Sequence, residues 1–377
     1  MLRLAAQRST IPIIGIRTRI AVPTFNKQLE KAVPSVQKMI LFKNDLVRLN
    51  VKKAVFKRKA MKRKGNLFEQ ICSFENLEAA DNIARRGKAG QWGIVVHDRN
   101  RDGNLAELRR QLLEGTFKTS DYTTFKVYEP KERDVYRLPY YPDRILHHAV
   151  MNVLEPVFVS HFTADTYSCI KGRGIHAGAN AVKKALRSGI SARYCLKLDI
   201  VKFYPSVDHV LLKKQLLHKF KDVRLLELLY GIIDSAPGLP IGNYLSQYLA
   251  NFYLSNFDHW MKEVKRVGHY FRYADDIVVL GDNKRELHAL LADIRRYLAD
   301  NLKLEVKGNW QVFPVASRGI DFVGYVFYPT HTRLRKRIKQ NFARKLAKGA
   351  GPKTIASYMG WLKHADCKHL TKKLLHV

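Results

Sequence analysis

Residues 270–280 read Tyr270-Phe271-Arg272-Tyr273-Ala274-Asp275-Asp276-Ile277-Val278-Val279-Leu280. Aromatic and β-branched runs on both sides of a short polar centre predict a β-hairpin whose turn carries two carboxylates. Adjacent acids at a tight turn repel each other, so the fold gains nothing from them unless a cation neutralises the pair. A solvated polar turn is the common fate of a bare Asp-Asp. Here Tyr273, two residues before Asp275, and the apolar run Ile277 to Leu280 tie the pair to a core strand.

Upstream lies Tyr194-Cys195-Leu196-Lys197-Leu198-Asp199-Ile200. Leu196, Leu198 and Ile200 alternate with Cys195, Lys197 and Asp199, which predicts a strand with Asp199 on its less apolar face near the C-terminal end. Three carboxylates from two neighbouring strand ends make a hard-oxygen site suited to two Mg²⁺ ions, with Mn²⁺ a substitute. Such a pair activates an attacking 3′-hydroxyl and stabilises leaving pyrophosphate in an in-line displacement.

The surroundings alternate helix and strand. Residues 66–90 and 104–118 read as helices divided by the apolar run Trp92-Gly93-Ile94-Val95-Val96, and Pro130 to Pro142 as extended chain. Helices are expected over 143–158 and 176–188. After Gly238, Pro240 and Gly242 a long helix buries Leu245, Leu249, Tyr253, Phe257, Met261 and Val264 at spacings of three and four. Helix 284–302 and strands near 303–307 and 320–328 follow, then a helical end.

The 377 residues hold 67 Lys+Arg against 33 Asp+Glu, a formal charge of +34, with 46% hydrophobic and 11% aromatic content. That is enough apolar matter for a large core, so the charge does not mark a disordered tail. A folded basic protein of this size reads as a nucleic-acid binder. No apolar run is long enough for a transmembrane helix. Cys72, Cys169, Cys195 and Cys367 are scattered, which supports neither a disulfide framework nor a zinc ribbon and fits a reducing compartment. Residues 1–60 carry 14 Lys+Arg and two acids, Glu30 and Asp45. They read as an organellar transit peptide, a basic arm, or upstream sequence joined to a second start at Met61. From Arg333 onward there are 13 Lys+Arg and one acid, Asp366.

Leu198-Asp199-Ile200 through Phe203-Tyr204, Gly-x-x-x-Ser at 242–246, Tyr273-Ala274-Asp275-Asp276 and Asp321-Phe322-Val323-Gly324-Tyr325 occur in that order. Together they resemble the palm motifs of reverse transcriptases over roughly residues 61–377. The resemblance implies an α+β fold, a right-hand polymerase with fingers, a ferredoxin-like palm and a helical thumb. The corresponding divisions are the arm 1–60, fingers with the start of the palm 61–190, palm 191–330 and basic thumb 331–377. It implies Asp199 and Asp275 as principal metal ligands, Asp276 completing the set, and Ile200 lending its backbone carbonyl. Tyr204 takes the place of an aromatic beneath the incoming sugar, which excludes a ribose 2′-hydroxyl. Lys131, Arg133 and Arg137 fall on the fingers strand that clamps the triphosphate. Lys171 and Arg173 are placed for template phosphates or the triphosphate, and Lys307 near a lysine that protonates pyrophosphate, at imperfect spacing. Gly324-Tyr325 resembles the primer-grip turn. Arg333, Arg335, Lys336 and Arg337 open a thumb suited to tracking the heteroduplex backbone.

Ile241-Gly242-Asn243-Tyr244-Leu245-Ser246-Gln247 departs from the usual pattern, with Ile241 where most of the family has Gln and Gln247 where it has Pro. This variant resembles the reverse transcriptases of diversity-generating retroelements, as do Cys72-Ser73-Phe74-Glu75-Asn76-Leu77 and Gly360-Trp361-Leu362-Lys363-His364. That resemblance implies error-prone copying of a template-repeat RNA into cDNA for mutagenic retrohoming, with DNA or RNA primer, deoxynucleoside triphosphates and an accessory protein as partners. It also implies a bacterial or phage cytoplasmic setting. An apolar Ile241 offers the nucleotide shape only, and losing a positioned polar contact weakens discrimination. A defence-associated bacterial enzyme shares the same palm. A silent RNA-binding scaffold would not need three clustered acids in a +34 chain.

Overall fold

The computed structural model describes residues 63–128, 132–189 and 192–375. The arm over 1–60, and Lys131 with it, lie outside the described residues. The first described part is helical: α1 (Phe68–Ile71), α2 (Phe74–Ala84), α3 (Trp92–Asp98) and α4 (Arg101–Glu114). Ser73 starts α2 by accepting a hydrogen bond from the Asn76 N–H, and Gly115, with φ +70°, ends α4. The antiparallel ribbon β1 (Thr123–Val127) and β2 (Arg133–Arg137) follows, then α5 (Ile145–Val159) and α6 (Ile175–Ser188).

The central sheet contains β3 (Tyr194–Leu198), β4 (His269–Tyr273), β5 (Asp276–Gly281) and β6 (Gln311–Pro314) in the order β4-β5-β3-β6, antiparallel throughout. Between its strands run α7 (His209–Lys219), α8 (Val223–Ile233), α9 (Tyr244–His259) and α10 (Lys284–Leu302). After α11 (Val315–Arg318), a three-stranded sheet of β7 (Ile320–Phe322), β8 (Tyr325–Phe327) and β9 (Thr332–Leu334) leads to α12 (Lys336–Ala347), α13 (Pro352–Leu362) and α14 (Lys368–Leu375).

Strand alternation divides the core in two. Leu196, Leu198, Tyr270, Ile277 and Val279 enter one cluster with Leu249, Tyr253 and Phe257 of α9 and Leu291, Ile294 and Leu298 of α10. Cys195, Phe271, Val278, Leu280 and Phe313 enter the other, with Val182 and Leu186 of α6, Tyr325 and Phe327 of β8, and Phe342 of α12. A sheet covered on both faces needs apolar residues at every position, hence the unbroken Ile277-Val278-Val279-Leu280.

Three sequence expectations change. Trp92-Gly93-Ile94-Val95-Val96 does not interrupt a helical region but opens α3: Ile94 and His97 point inward one turn apart, while Trp92, Val95 and Val96 are exposed. Near 303–307 only Val306 pairs, as an isolated bridge to Ile200. The buried stripe of α9 ends at Met261, because the chain widens into a π-turn over Trp260–Val264 and leaves Val264 exposed. Among the described residues no helix is long and apolar enough to cross a membrane.

Candidate active site

Tyr273 pairs with Asp276, so Ala274 and Asp275 form a two-residue loop between β4 and β5. Ala274 has φ +54°, in the left-handed region that favours glycine, and such strain persists only where neighbours over-determine it. The neighbour is Arg272, a fully buried side chain. Its Nη1 donates to the Ala274 carbonyl at 3.0 Å and to Asn251 Oδ1 at 3.1 Å. Its Nε and Nη2 donate to the two oxygens of Asp258 at 2.7 and 2.5 Å. Tyr270 and Thr166 complete the Asp258 shell at 2.6 and 3.1 Å. The sequence reading missed Arg272 and Asp258; a single cation inside an apolar strand was the available signal.

β3 pairs with β5 through Leu198 and Ile277, and one step further this register sets Asp199 across from Asp276. The Lys307 N–H donates to the Asp199 carbonyl at 2.8 Å, and Lys307 Nζ stands 3.4 Å from Asp199 Oδ2. Lys307 therefore braces a carboxylate. Ile200 is buried and bridges Val306. Burial, then the Asp199 carboxyl beside it, pushes the Asp275 carboxyl well above the usual carboxylate range. Burial raises Asp276 to about 6, opposed by the Lys197 ammonium. Asp276 Oδ1 is buried and accepts no hydrogen bond, with Lys197 Nζ 3.5 Å away.

Among the described residues no three His, Cys, Asp or Glu side chains converge as a preformed metal cage. Two facing carboxyls and an orphaned third oxygen nevertheless fit divalent cations, whose charge removes the repulsion that raises these groups.

Tyr204 begins a 3₁₀ turn over Tyr204–Ser206, half-buried, with burial and then Cys169 and Asp275 raising its phenol. Gly238, with φ +60°, lies against this turn: a Cβ there would sit 2.6 Å from the Tyr204 carbonyl. The Ile241 carbonyl accepts from the Tyr136 N–H of β2 at 2.8 Å, and a Cβ on Gly242 would run into the Tyr136 carbonyl. Strand and loop are thus locked together. Beside the lock is a cavity of about 480 Å³, lined among others by Lys88, Arg137, Arg144, His148, Gly242 and Gln247. No acid is among its described lining residues. Burial and Arg137 lower Arg144, and burial and Arg144 lower Lys88. Burial, then Lys88 and Arg144, push His148 down to about 4. Lys88 and His148 were not singled out by sequence, because one reaches the cavity from the loop after α2 and the other from α5, 60 residues further on. Arg133 is exposed and does not line this cavity.

The remaining assignments divide. Lys171 is exposed, whereas Arg173 donates to the Thr163 carbonyl at 2.9 Å and holds its own loop. Tyr325 is fully buried, its hydroxyl donating to the Trp361 carbonyl at 3.1 Å, so it cannot reach nucleic acid and anchors α13 instead. Val323 and Gly324, with φ +44° and +91°, form the turn before it. Arg335 is engaged with Asp321, its Nε and Nη2 within 2.6 and 2.5 Å of Oδ1. Arg333 covers the Tyr328 ring at 5.2 Å, and Lys336 and Arg337 remain exposed on the first turn of α12.

Protein YkfC of Escherichia coli is 26% identical over 281 residues, covering 62% of this chain and 72% of that one. The group II intron-encoded protein LtrA of Lactococcus lactis is 20% identical over 326 residues, covering 66% of this chain and 54% of LtrA. A telomerase structure from Candida albicans, in complex with a fragment of telomeric RNA, aligns at TM-score 0.42 and 11% identity over 68% of this chain and 56% of that one. The chain thus spans about half the length of LtrA and of the telomerase chain. The profile of the reverse transcriptase (RNA-dependent DNA polymerase) family matches residues 129–327, more than half of the sequence. That span contains both strands of the carboxylate hairpin, the Asp199 strand and the locked Gly242 loop; with its right-hand α+β fold, the chain belongs to the reverse transcriptase family.

Proposed function

We propose that this chain copies an RNA template into DNA at the Asp199, Asp275 and Asp276 cluster. The observation carrying the reading is the strand register that sets Asp199 against the Asp275-Asp276 turn, where an Asp276 oxygen is buried and accepts no hydrogen bond. Asp199 and Asp275, with the Ile200 carbonyl, would hold two Mg²⁺ ions, Asp276 completing their charge. When bound, those ions supply Lewis-acid activation of the primer 3′-hydroxyl and neutralise the leaving pyrophosphate. The chain's own groups do the positioning. Arg272 fixes the Ala274 carbonyl and thereby the Asp275 turn. Lys307 holds Asp199 at its backbone and carboxylate. Tyr204, on the turn five residues after Asp199, supplies the aromatic ring that excludes a sugar bearing a 2′-hydroxyl. Lys88, Arg137 and Arg144, gathered without an acid, receive phosphates of the nucleotide or template. Exposed Lys336 and Arg337 meet the duplex backbone.

The finer reading is an error-prone enzyme of the diversity-generating retroelement type, assisted by an accessory protein. The motif around Ile241 and Gln247 supports it. A second reading, an intron-associated enzyme, is favoured by the intron-encoded relative LtrA. Deep sequencing of cDNA made on one defined RNA separates them. The first reading expects errors concentrated opposite template adenine, and Ile241→Gln should lower them roughly few-fold to tenfold, the equivalent of one hydrogen bond of about 0.5–1.5 kcal/mol. An even, low error spectrum favours the second. No primer extension on RNA by the unaltered chain would sink both.

A further inference from the structure

Lys197, Asp321 and Arg335 join the catalytic carboxylates to the first thumb helix by an unbroken set of contacts. Lys197 Nζ forms a long ion pair, 3.5 Å, with Asp276 Oδ1, which accepts no hydrogen bond, and donates to the main-chain carbonyl of Asp321. The Asp321 carboxylate is held by Arg335, with N–O separations of 2.6 and 2.5 Å. Arg335 is the residue from which α12 starts, and its own N–H donates to the Gly324 carbonyl at 3.0 Å. The side chain therefore turns back from the basic face formed by Lys336 and Arg337.

An isolated surface pair contributes little. This pair differs, because the same residue that accepts Arg335 on its carboxylate holds Lys197 on its carbonyl. Lys197 is thus kept at 3.5 Å from Asp276, outside hydrogen-bond range. An ammonium released from the Asp321 carbonyl would shorten this ion pair to a charge-assisted hydrogen bond and compete with a cation for Asp276 Oδ1.

We infer that Asp321 and Arg335 are positioning residues that hold Lys197 off Asp276, so that the seating of α12 sets how well the carboxylates capture metal. The inference rests on the polymerase reading above. It assigns Arg335 to the protein's own Asp321 and removes it from the nucleic-acid contacts.

The test uses the full chain with Asp321→Asn, Arg335→Gln, the double variant, the exchange Asp321→Arg with Arg335→Asp, and Lys197→Met. Mn²⁺ binding is followed by electron paramagnetic resonance without nucleic acid, and melting temperatures confirm folding. The Mg²⁺ half-saturation and the KM for primer–template are read separately in extension assays. Each single variant should weaken Mn²⁺ binding about tenfold, as loss of an outer-shell partner does. The double should be no worse than either single, the exchange should recover most of the affinity, and adding Lys197→Met should abolish the effect of Asp321→Asn. Unchanged Mn²⁺ affinity in both single variants overturns the inference. So does an opposite response of primer–template KM, raised by Arg335→Gln and lowered by Asp321→Asn, which marks Arg335 as a phosphate contact. An unaltered chain that neither binds Mn²⁺ nor extends a primer defeats the polymerase reading instead.

Discussion

Asp258 and Asp275 lie on either side of Arg272, and the protein treats them in opposite ways. Asp258 is fully buried and saturated: both its oxygens meet the Arg272 guanidinium, and Tyr270 and Thr166 supply further donors. Asp275 is half-buried and faces another carboxyl, and the neighbouring Asp276 leaves an oxygen with no donor. A completed network specifies structure, whereas an incomplete one in a low-dielectric site stores unfavourable electrostatics that a ligand can relieve. Stability is invested in the first cluster, and reactivity is held in the second.

The sharpest break of this contrast is in activity. Asp199→Asn or Asp275→Asn should reduce RNA-templated primer extension at least about a thousandfold, since each removes a charge from the metal set. Both proteins should melt no lower than the unaltered chain at pH 7.5 without metal. A variant that stays active removes that acid from the chemistry. The converse substitution is Arg272→Met, which leaves Asp258 buried and unpaired and should destabilise the fold by about 3–5 kcal/mol in denaturant titration. A loss below about 1 kcal/mol would show that Asp258 is not held in the way the distances indicate.

A pH series sharpens the comparison further. Asp276 titrates near 6 in the fold, above its ordinary value of about 3.9. The folded state holds that proton more tightly than the unfolded chain, so metal-free stability should fall as pH rises from about 4 through about 6, by on the order of 3 kcal/mol. Mg²⁺ should restore it, and more so at pH 8 than at pH 5. Asp276→Asn should make the profile shallower, the remaining fall coming from the raised Asp275, while one that rises across this window contradicts the stored repulsion. The smallest effect belongs to Thr166→Val, which deletes one of several donors to Asp258 and should cost about 0.5–1.5 kcal/mol with extension rates unchanged.

The hairpin, the Asp199 strand and the long helices were legible in the sequence because each rests on local periodicity that tertiary packing then reinforces. The Asp275-Asp276 pair was legible because charge inside a strand pattern conflicts with burial. Arg272 poses the same conflict and was passed over, since its meaning depends on Asp258, an acid on a helix whose apolar stripe dominates the reading. Tyr325 was assigned to nucleic acid because a motif fixes order along the chain and says nothing about which way a ring points; the ring enters the second core. Arg335 looked like one cation among many, and only the fold reveals Asp321 opposite it. The helix over Trp92–Asp98 was hidden because two inward positions are too few to establish a period.

The turn at Val323-Gly324 has a temporal side. A Cβ on Gly324 would run into the Trp361 ring, so the hollow above this turn is filled by a residue made well after it. At roughly 5–20 residues per second a ribosome needs seconds to supply that ring and clear it from the exit tunnel. During that interval the central sheet, whose strands all precede Gly324, has what it needs to form, while the β7–β8 hairpin lacks the ring that covers its turn. Released chains truncated after Gly351 should therefore carry a protease-resistant sheet and a cleavable Val323-Gly324 bend, and resistance at the bend should return only when the residues of α13 are included.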